Sequence, residues 1–501
     1  MFNQRVDHLL HSGDPASPAL TFKTTTLTYA ELARRVAEVA GGLHALGVRR
    51  GDRVAVYAEK RIETVVSVLA IAAAGAVFVP VNPLFKARHL GYVLEDCGPR
   101  VVLTTKERLE TVREALSPSV EHVVVFGTPE WDALSGEAPE AGVIDDDPAA
   151  IMYTSGSTGG PKGVVLSHRN ILAGAASVAT YLGHTSDDVV LAALPLSFDA
   201  GFSQLTTSLY AGAHIVLVNY LLPREIVRLC AKHGVTGLTC VPPLWLQLVE
   251  QDWTSVSSLR YFANTGGRMP RATLARLRGH FPEAKPFLMY GLTEAFRSTY
   301  LDPAEASQRP DSIGKAIPNA EVLVVRPDGT PCAPGEHGEL VHRGALVALG
   351  YWNDPERTAE RFRPAPGPQV AGRPEIAVWS GDTAYRDEEG FLYFVGRNDE
   401  MIKTSGYRIS PAEIEEAAYA TGLVGGAVAF GVADPVLGQH IALVVTLREQ
   451  DAETLSRALA RELPPYMLPQ RIEVLAELPR SVNGKFDRVE LRRAVEQVGI
   501  G

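Results

Sequence analysis

The chain has 501 residues with 48 basic and 58 acidic side chains, which gives a formal net charge of −10. This length exceeds what one hydrophobic core usually supports, so we predict more than one domain. The acidic balance disfavours a nucleic-acid-binding surface, and the four cysteines lack the C-x-x-C spacing of a metal or redox pair. Four scattered thiols and a polar N-terminus without a signal-peptide core predict a cytoplasmic protein.

Short apolar strands alternate with helices through the first half of the chain. Strands are predicted at residues 53–57, 77–81, 101–103, 123–125, 189–191, 214–217 and 237–241, with helices from about residue 62 and near residues 89–95. This alternation is typical of parallel sheets that are covered by helices. We therefore predict an α/β fold whose large N-terminal domain has mainly parallel sheets.

One segment is long and uncharged enough to be considered for membrane insertion. Residues 64–81 carry no charge, and the uncharged run continues to Phe85. Alanines and Gly75 fill its middle, and residues 77–81 have the pattern of a strand that ends in a proline turn. We therefore predict a buried helix followed by a strand, and no membrane partner.

The last hundred residues differ from the rest of the chain in composition and in their pattern of predicted elements. Residues 363–374 are rich in proline and glycine and predict a surface loop. After Gly396, the pattern predicts a small mobile α+β domain, so that the large domain covers residues 1–398 and the small one residues 399–501. Its predicted helices are residues 411–420 and 451–463, and its predicted strands are residues 425–432 and 441–447.

A glycine- and hydroxyl-rich loop is the sharpest signal in the sequence. Residues 153–163 read Tyr-Thr-Ser-Gly-Ser-Thr-Gly-Gly-Pro-Lys-Gly. The glycines let backbone N–H groups approach a polyanion, the hydroxyls add donors, and Lys162 adds positive charge. The loop does not match the Walker A pattern. A flexible linker is disfavoured because a buried strand precedes the loop and a segment with a basic tip, residues 164–169, follows it.

This loop resembles the signature of the adenylate-forming superfamily, which includes acyl-CoA synthetases, adenylation domains of peptide synthetases and beetle luciferases. Further motifs follow in the family's order, so the resemblance covers roughly residues 21–488. It implies an AMP-forming acid–thiol ligase that binds ATP with Mg²⁺ and a small carboxylic or amino acid. The implied acceptor is the thiol of CoA, or of phosphopantetheine on a separate carrier protein.

The resemblance assigns roles to two further motifs around the nucleotide. In Tyr290-Gly291-Leu292-Thr293-Glu294 it implies Tyr290 at adenine, Thr293 at the α-phosphate and Glu294 at Mg²⁺, the ion that prefers hard oxygen ligands. It also implies that Asp382 binds the ribose hydroxyls, although an isolated aspartate in a loop is usually a solvated turn residue. The implied nucleotide-binding residues are Thr154, Ser155, Gly156, Ser157, Gly159, Gly266, Gly267, Tyr290, Gly291, Asp382 and Arg397.

A C-terminal motif resembles the family's catalytic-lysine segment. Residues 478–485 end in Asn-Gly-Lys, and an Asn-Gly pair favours a tight turn that would aim Lys485. The resemblance implies that Lys485 serves adenylation and leaves when the small domain rotates about Asp399, so that the face near residues 406–408 approaches. The implied catalytic residues are Lys485, Thr158, Lys162 and Thr293.

The candidate acyl pocket begins at Phe198-Asp199. Many acyl-CoA synthetases have histidine at the position of Phe198, whereas Phe-Asp resembles amino-acid adenylation domains, where the aspartate binds the substrate's ammonium, and stand-alone proline-activating ligases. Alternatively, Asp199 caps a helix that begins at Ala200. The sequence leaves three alternatives for Arg297: it binds an acidic side chain of the substrate, pairs with Asp199 or faces solvent. The implied substrate-binding residues are Phe198, Asp199, Ala200, Ser203, Ala263, Thr265, Met289, Arg297 and Ser298.

Four functions are compatible with these motifs. The leading hypothesis is an amino-acid-activating, AMP-forming ligase. The nearest alternative is an acyl-CoA or aryl-CoA synthetase for a small acid without an amine, since residues 167–170 and 400–411 resemble that group. A luciferase-like oxidoreductase and a non-catalytic ATP-binding protein complete the set, and the last is disfavoured because a binder has no need of Lys485.

Overall fold

The computed structural model describes residues 5–138, 140–154, 161–369, 374–397, 400–404, 407–434, 438–448 and 451–498. Its helices are α1 (Tyr29–Ala45), α2 (Ile62–Ala73), α3 (Ala87–Cys97), α4 (Leu109–Ala115), α5 (Pro129–Asp132), α6 (His168–Leu182), α7 (Asp199–Tyr210), α8 (Pro223–His233), α9 (Pro242–Leu248), α10 (Arg271–His280), α11 (Pro355–Arg361), α12 (Pro411–Ala420), α13 (Ala452–Glu462) and α14 (Arg488–Val498). Short 3-10 helices cover Val6–His11, Thr293–Ala295, Pro303–Glu305 and Pro465–Met467.

The strands, in chain order, are β1 (Pro18–Phe22), β2 (Thr25–Thr28), β3 (Arg53–Tyr57), β4 (Val77–Val81), β5 (Val101–Thr104), β6 (His122–Val125), β7 (Pro148–Thr154), β8 (Lys162–Ser167), β9 (Val189–Ala192), β10 (His214–Leu217), β11 (Gly237–Cys240), β12 (Tyr261–Asn264), β13 (Lys285–Tyr290), β14 (Thr299–Leu301), β15 (Ser312–Ala316), β16 (Ala320–Val325), β17 (Gly338–Gly344), β18 (Gly350–Tyr351), β19 (Phe362–Pro364), β20 (Ile376–Arg386), β21 (Leu392–Arg397), β22 (Ile402–Thr404), β23 (Tyr407–Ile409), β24 (Val424–Asp434), β25 (Gly438–Leu447) and β26 (Arg471–Val474). The strands and helices predicted for the first half are confirmed to within a few residues, since their apolar spacing is strong.

The first large sheet has the strand order β18-β8-β7-β4-β3-β5-β6. Strands β7, β4, β3, β5 and β6 run parallel, and β7 and β8 form an antiparallel pair. Helix α2, in the long uncharged run, is buried along nearly its whole length, and β4 follows it. The buried helix and strand are thus confirmed, and no helix in the described residues has the length and apolarity that a membrane crossing requires.

The second large sheet has the order β16-β17-β20-β21-β15-β14-β13-β12-β11-β9-β10-β1-β2, and β19 pairs with β20. The run from β13 to β1 is parallel, whereas β14 and the strands after it pair antiparallel. The predicted α/β fold is confirmed, with its parallel pairing concentrated before residue 291. The largest hydrophobic cluster joins the two sheets, with Phe78 of β4 and Ile215 of β10 among its members.

One predicted loop is shorter than the sequence suggested. Residues 363–374 were expected to form a surface loop, but β19 pairs antiparallel with β20, with Phe362 opposite Val378. The correction has a physical reason: Phe362 is buried in the largest hydrophobic cluster, and its burial outweighs the local preference of the prolines for a loop.

The C-terminal part forms its own small sheets and core. Strands β24, β25 and β26 make one sheet, and β22 and β23 make a two-stranded one. The helices predicted at residues 411–420 and 451–463 are confirmed as α12 and α13. Polar contacts join this part to the large one: Arg448 Nη2 donates to Glu250 Oε1 at 2.8 Å, and Arg271 N donates to Glu416 Oε1 at 3.1 Å.

Candidate active site

The carboxyl ends of the parallel strands place most of the candidate residues at one edge of the second sheet. Thr265 to Gly267 follow β12, Gly291 to Glu294 follow β13, and the segment that leads to Asp199 follows β9. In open α/β sheets, ligands bind in the crevice outside this edge. Residues that are far apart in the sequence are therefore brought together here.

Lys485 lies on a tight turn of the C-terminal part. Ser481 N donates to Lys485 O at 2.7 Å, and Gly484 N donates to Ser481 O at 2.8 Å. Gly484 has φ +79°, a conformation that glycine adopts without steric conflict. The turn predicted from Asn-Gly is confirmed. Asn82, a residue that sequence analysis missed, fastens this turn to the large domain, because its Nδ2 donates to Val482 O at 3.0 Å.

The turn delivers the Lys485 side chain into the large domain. Its Nζ lies 5.1 Å from the centroid of the Phe198 ring. Its Cε passes so close to Gly266 that a Cβ there would lie 2.7 Å away. Burial lowers the pKa of Lys485, and the negative charge of Asp199 opposes that shift. The structure therefore brings together four residues predicted for the site: Lys485, Phe198, Asp199 and Gly266.

A second group surrounds Asp382. This residue lies within β20 and is 4% exposed, so the loop environment suggested by the sequence is corrected. Tyr290 Oη donates to Asp382 Oδ2 at 2.5 Å, and Arg397 Nε lies 3.2 Å from Asp382 Oδ1. Burial raises the pKa of Asp382, while Arg397 and the Tyr290 hydrogen bond lower it. Three of the predicted nucleotide-binding residues thus form one charged, hydrogen-bonded group.

A third group joins Lys162 and Glu294 through Tyr351, to which the sequence analysis assigned no chemical role. Lys162 Nζ lies 3.7 Å from Glu294 Oε1. The Tyr351 hydroxyl donates to the same Glu294 oxygen at 2.6 Å and lies 3.4 Å from Lys162 Nζ. Burial lowers the pKa of Lys162 and Glu294 raises it. No local sequence pattern indicates this contact, because it depends on β18 pairing with β8.

The two ends of the glycine- and hydroxyl-rich loop are adjacent. Thr154 at the end of β7 pairs with Lys162 at the start of β8. Other predicted residues lie outside the described part of the chain: Ser155, Gly156, Ser157, Thr158, Gly159 and Asp399.

The remaining nucleotide candidates lie in turns at the same edge. Gly266 has φ +74°, and Asn264 Nδ2 donates to Gly267 O at 2.8 Å, which closes the turn after β12. Thr293 is buried at the start of a 3-10 helix. Gly291 leaves room for the main chain of Arg297, since a Cβ at Gly291 would lie 3.2 Å from the Arg297 Cα.

Four of the predicted substrate-binding residues line one cavity: Ala200, Ser203, Met289 and Arg297. Arg297 Nη1 donates to Thr265 Oγ1 at 3.1 Å, which ties a fifth residue to the group. Ala263 and Ser298 are buried, and the Ser298 hydroxyl has no described hydrogen-bond partner. His184, which the sequence did not single out, also lines the cavity and lies with its Nε2 2.8 Å from the Tyr261 hydroxyl. Burial lowers the pKa of His184 to about 4, so its imidazole is neutral.

Asp199 is the first residue of α7, whose N-cap is Phe198. The alternative that Asp199 caps a helix beginning at Ala200 is therefore wrong by one residue. Asp199 Oδ1 nevertheless accepts a hydrogen bond from Ala200 N at 2.7 Å. The side chain is buried, with 5% of the residue exposed. Within the described ranges, no lysine, arginine or histidine nitrogen lies within 4.0 Å of its carboxylate. This includes Arg297, so the predicted alternative of an Arg297–Asp199 ion pair is wrong.

Lys60 supports the segment that leads to Asp199, and sequence analysis did not find it. Its Nζ donates to Ala192 O at 2.7 Å, Ala193 O at 2.8 Å and Leu194 O at 3.0 Å. Three acceptors match the three N–H groups of an ammonium. Burial lowers the pKa of Lys60 to about 7. A lysine just before the long uncharged run was the only sequence signal, and it did not indicate the partners.

Comparison with known proteins covers both parts of the chain. It matches the AMP-binding enzyme family over residues 11–352 and the AMP-binding enzyme C-terminal domain over residues 413–485. It is 34% identical over 490 residues to a feruloyl-CoA synthase of an Amycolatopsis species, with 96% of each chain covered. It is 31% identical over 517 residues to the L-proline–[L-prolyl-carrier protein] ligase of Pseudomonas fluorescens, with 99% of each chain covered.

A solved structure shares the fold. The o-succinylbenzoate coenzyme A synthetase of Bacillus subtilis, in complex with ATP and magnesium ion, superimposes with a TM-score of 0.84 and 30% sequence identity. The similarity covers 98% of this chain and 99% of that one. From the family match and these relatives, the chain belongs to the AMP-binding enzyme family.

Proposed function

We propose that this AMP-forming acid–thiol ligase activates an amino acid and passes the aminoacyl group to a phosphopantetheine thiol. The observation that carries the proposal is the buried carboxylate of Asp199, which has no described ion-pair partner. An isolated buried charge is unfavourable, and the ammonium of an amino acid would compensate it. Lys485 also acts electrostatically on Asp199, but in the reaction its charge is directed at the phosphate and the reacting carboxylate.

In the first half-reaction, a carboxylate oxygen of the acid attacks the α-phosphorus of ATP, and the bond to the β-phosphate oxygen breaks. Lys485 and Lys162 supply positive charge to the oxygens where negative charge develops, with Thr158 and Thr293 as hydroxyl donors. The protein does little covalent chemistry itself. Its contribution is to hold these groups in place before the reaction begins.

Glu294 is the residue that would hold Mg²⁺. Tyr351 occupies only one of its carboxylate oxygens, which leaves the other for a metal. The described residues contain no cluster of three metal-ligating side chains, and Mg²⁺ with ATP commonly uses one or two carboxylates, phosphates and waters. When bound, the ion supplies charge neutralisation for the leaving pyrophosphate.

Asp382 and Tyr290 would hold the nucleoside. A carboxylate suits two ribose hydroxyl donors, and the charge of Arg397 opposes the rise in the Asp382 pKa that burial causes. The Tyr290 ring lies beside Phe394 and His342, with ring centroids 5.9 Å and 6.0 Å away, so its plane is fixed for stacking on adenine.

In the second half-reaction, the small domain, residues 399–501, rotates about Asp399 and withdraws Lys485. The thiol then attacks the carbonyl carbon of the adenylate, and AMP leaves. The contacts that hold the present arrangement include polar ones, such as Asn82 with Val482 and Arg448 with Glu250. Polar interfaces of this kind separate more easily than apolar ones.

A second candidate is a synthetase that makes the CoA thioester of a small acid without an amine. It is favoured by the 34% identity to a feruloyl-CoA synthase over 96% of both chains. In that case the role of Asp199 would be only to accept the hydrogen bond from Ala200 N at the start of α7.

ATP–pyrophosphate exchange over amino acids, their N-acetyl derivatives, aryl acids and short fatty acids separates the two candidates. We expect exchange with an amino acid that is lost on N-acetylation, and loss of that exchange in Asp199→Asn. The exposed Asp187→Asn serves as the matched control. Exchange only with acids that lack an amine, unchanged in Asp199→Asn, would establish the second candidate instead.

A further inference from the structure

We infer that Arg297 is a second recognition point of the acyl pocket and that the acid carries a second anionic group, such as a carboxylate side chain. The inference rests on the proposed function, because it names the substrate class of the same pocket. Together with Asp199, it describes an acidic amino acid.

The sequence allowed three alternatives for Arg297, and its environment excludes two of them: exposure to solvent and pairing with Asp199. The residue is 4% exposed, so it does not face solvent. No described ion pair joins it to Asp199 or to any other carboxylate. Thr265 Oγ1, at 3.1 Å from Nη1, is the one side-chain acceptor that the described residues give to a group with five N–H donors. A buried guanidinium with a single neutral partner is electrostatically incomplete.

The backbone that presents Arg297 is strained. Phe296 has φ +51° and ψ −35°, an uncommon conformation for a residue with a side chain. Its ring is fully buried and occupies the space over Gly174 of α6, where a Cβ would lie 2.5 Å from Phe296 Cδ1. Arg297 N donates to Ala295 O at 2.6 Å and closes the turn. Strain of this kind persists where the surrounding structure enforces it, and here it turns the arginine toward the cavity.

The cavity beside Arg297 is small, about 20 Å³, and its lining offers hydroxyl groups but no carboxylate. Arg297 shares its lining with the hydroxyl residues Ser203, Thr207 and Thr239. No other lining residue is charged, because His184 is neutral near pH 7. A guanidinium binds a carboxylate through two parallel hydrogen bonds, which gives both affinity and direction.

Matched substrate pairs test the inference with the intact protein. ATP–pyrophosphate exchange is measured with aspartate and asparagine, glutamate and glutamine, and the corresponding diacids and monoamides without an amine. We expect the acidic member of a pair to be preferred by on the order of 100-fold or more in kcat/KM, because the amide leaves the buried charge unpaired. Equal use of both members, or preference for the amide, would overturn the inference.

Substitution of the arginine supplies the second arm. Arg297→Ala should remove the preference for the acidic member, whereas Arg297→Lys should keep part of it. The control is Arg278→Ala, which removes a surface arginine on α10 that donates to Ser307 at 2.7 Å. If Arg297→Ala does not fold, the wild-type substrate pairs decide alone.

The two proposals fail in different ways. Exchange with diacids but not with amino acids would retain Arg297 and refute the ammonium role of Asp199. Exchange with neutral amino acids, with kcat/KM the same in wild type and Arg297→Ala, would retain Asp199 and refute the role of Arg297. Absence of exchange with every acid tested would refute both.

Discussion

The proposed nucleotide end and the proposed acyl end of the site differ in how their charges are paired. At the nucleotide end, Asp382 contacts Tyr290 and Arg397, and Glu294 contacts Tyr351 and Lys162. At the acyl end, Asp199 and Arg297 are both buried, and their described hydrogen-bond partners are the Ala200 N–H and the Thr265 hydroxyl. The charges at one end are paired at close range, whereas Asp199 and Arg297 have no ion-pair partner within 4.0 Å among the described residues, and Lys485 acts on Asp199 from farther away.

This difference indicates how work is divided between protein and substrate. The nucleotide end handles the same ligand in every turnover, so its groups can be fixed in advance by one another. The acyl end must select one acid from many. A substrate that does not pair with these buried charges binds less tightly, which is a source of selectivity. If this contrast holds, substitutions at the two ends should differ in the half-reaction or the ligand that they affect.

Removal of the Lys485 ammonium should abolish only the first half-reaction. In Lys485→Ala, we expect ATP–pyrophosphate exchange to fall by roughly 100- to 1,000-fold, as when a charge-stabilising donor is lost. Thioester formation from synthetic aminoacyl-AMP should remain near the wild-type rate. A parallel loss of both activities would contradict the idea that Lys485 is withdrawn before thiol attack.

Substitution of Lys60 should damage the acyl end and spare the nucleotide end. Lys60→Met removes the donor that three carbonyls share, which frees the segment before Asp199. We expect KM for the acid to rise by about tenfold or more, with KM for ATP unchanged, since one unmet buried group costs about 1–3 kcal/mol. An equal rise in both KM values would indicate a general loss of structure.

Lys60 also predicts a pH dependence of stability. Its folded pKa of about 7 lies below the ordinary lysine value of 10.5. Between these values the unfolded chain binds more protons, so this residue makes the free energy of unfolding rise with pH from about 7 toward 10.5. Denaturant titrations should show that rise in the wild type and a smaller one in Lys60→Met. Identical slopes would contradict the lowered pKa.

Substitution of Gly266 distinguishes the effect of a clash with Lys485 from the effect of backbone strain. Gly266→Ala would place a Cβ 2.7 Å from Lys485 Cε at a position where φ is +74°. We expect exchange to fall by about tenfold and thioester formation to persist, because a displacement of about 1 Å can cost far more than strain alone. Gly51→Ala is the control, since φ there is +83° with nothing within 4 Å of the added Cβ. If both variants lose exchange equally, contact with Lys485 is irrelevant.

Loss of one hydroxyl at the nucleotide end should have the smallest effect. Tyr351→Phe removes the donor to Glu294 and leaves the ring that lies under Lys162, 4.9 Å from Nζ. We expect the concentration of Mg²⁺ needed for half-maximal exchange to change by about two- to tenfold, as a net hydrogen bond contributes about 1 kcal/mol. Tyr29→Phe, which loses a buried bond to Ala213 O away from the site, should leave it unchanged.

Sequence patterns predicted an element well where nearby residues determine it. The helix at residues 411–420 and the strand at 214–217 have the predicted bounds, and the Asn-Gly turn before Lys485 is formed. The loop at 363–374 was predicted too long because β19 is stabilised by pairing with β20 and by burial of Phe362, neither of which is a local property. The alternative that Asp382 is a solvated turn residue is likewise wrong, because β20 pairs with β21 and buries it, and that pairing is not a local property.

By itself, the sequence determined the α/β fold with its small C-terminal domain, the order of the motifs and the identity of the family, because these depend on periodicity and on short runs of residues. Tertiary structure alone decided that Lys60 holds three carbonyls across 132 to 134 positions of sequence and that Tyr351 joins Lys162, 189 positions away, to Glu294. It also decided that Asp199 and Arg297 are buried apart from each other. Burial and pairing are set by which distant segments pack together, and a local pattern carries no information about that distance.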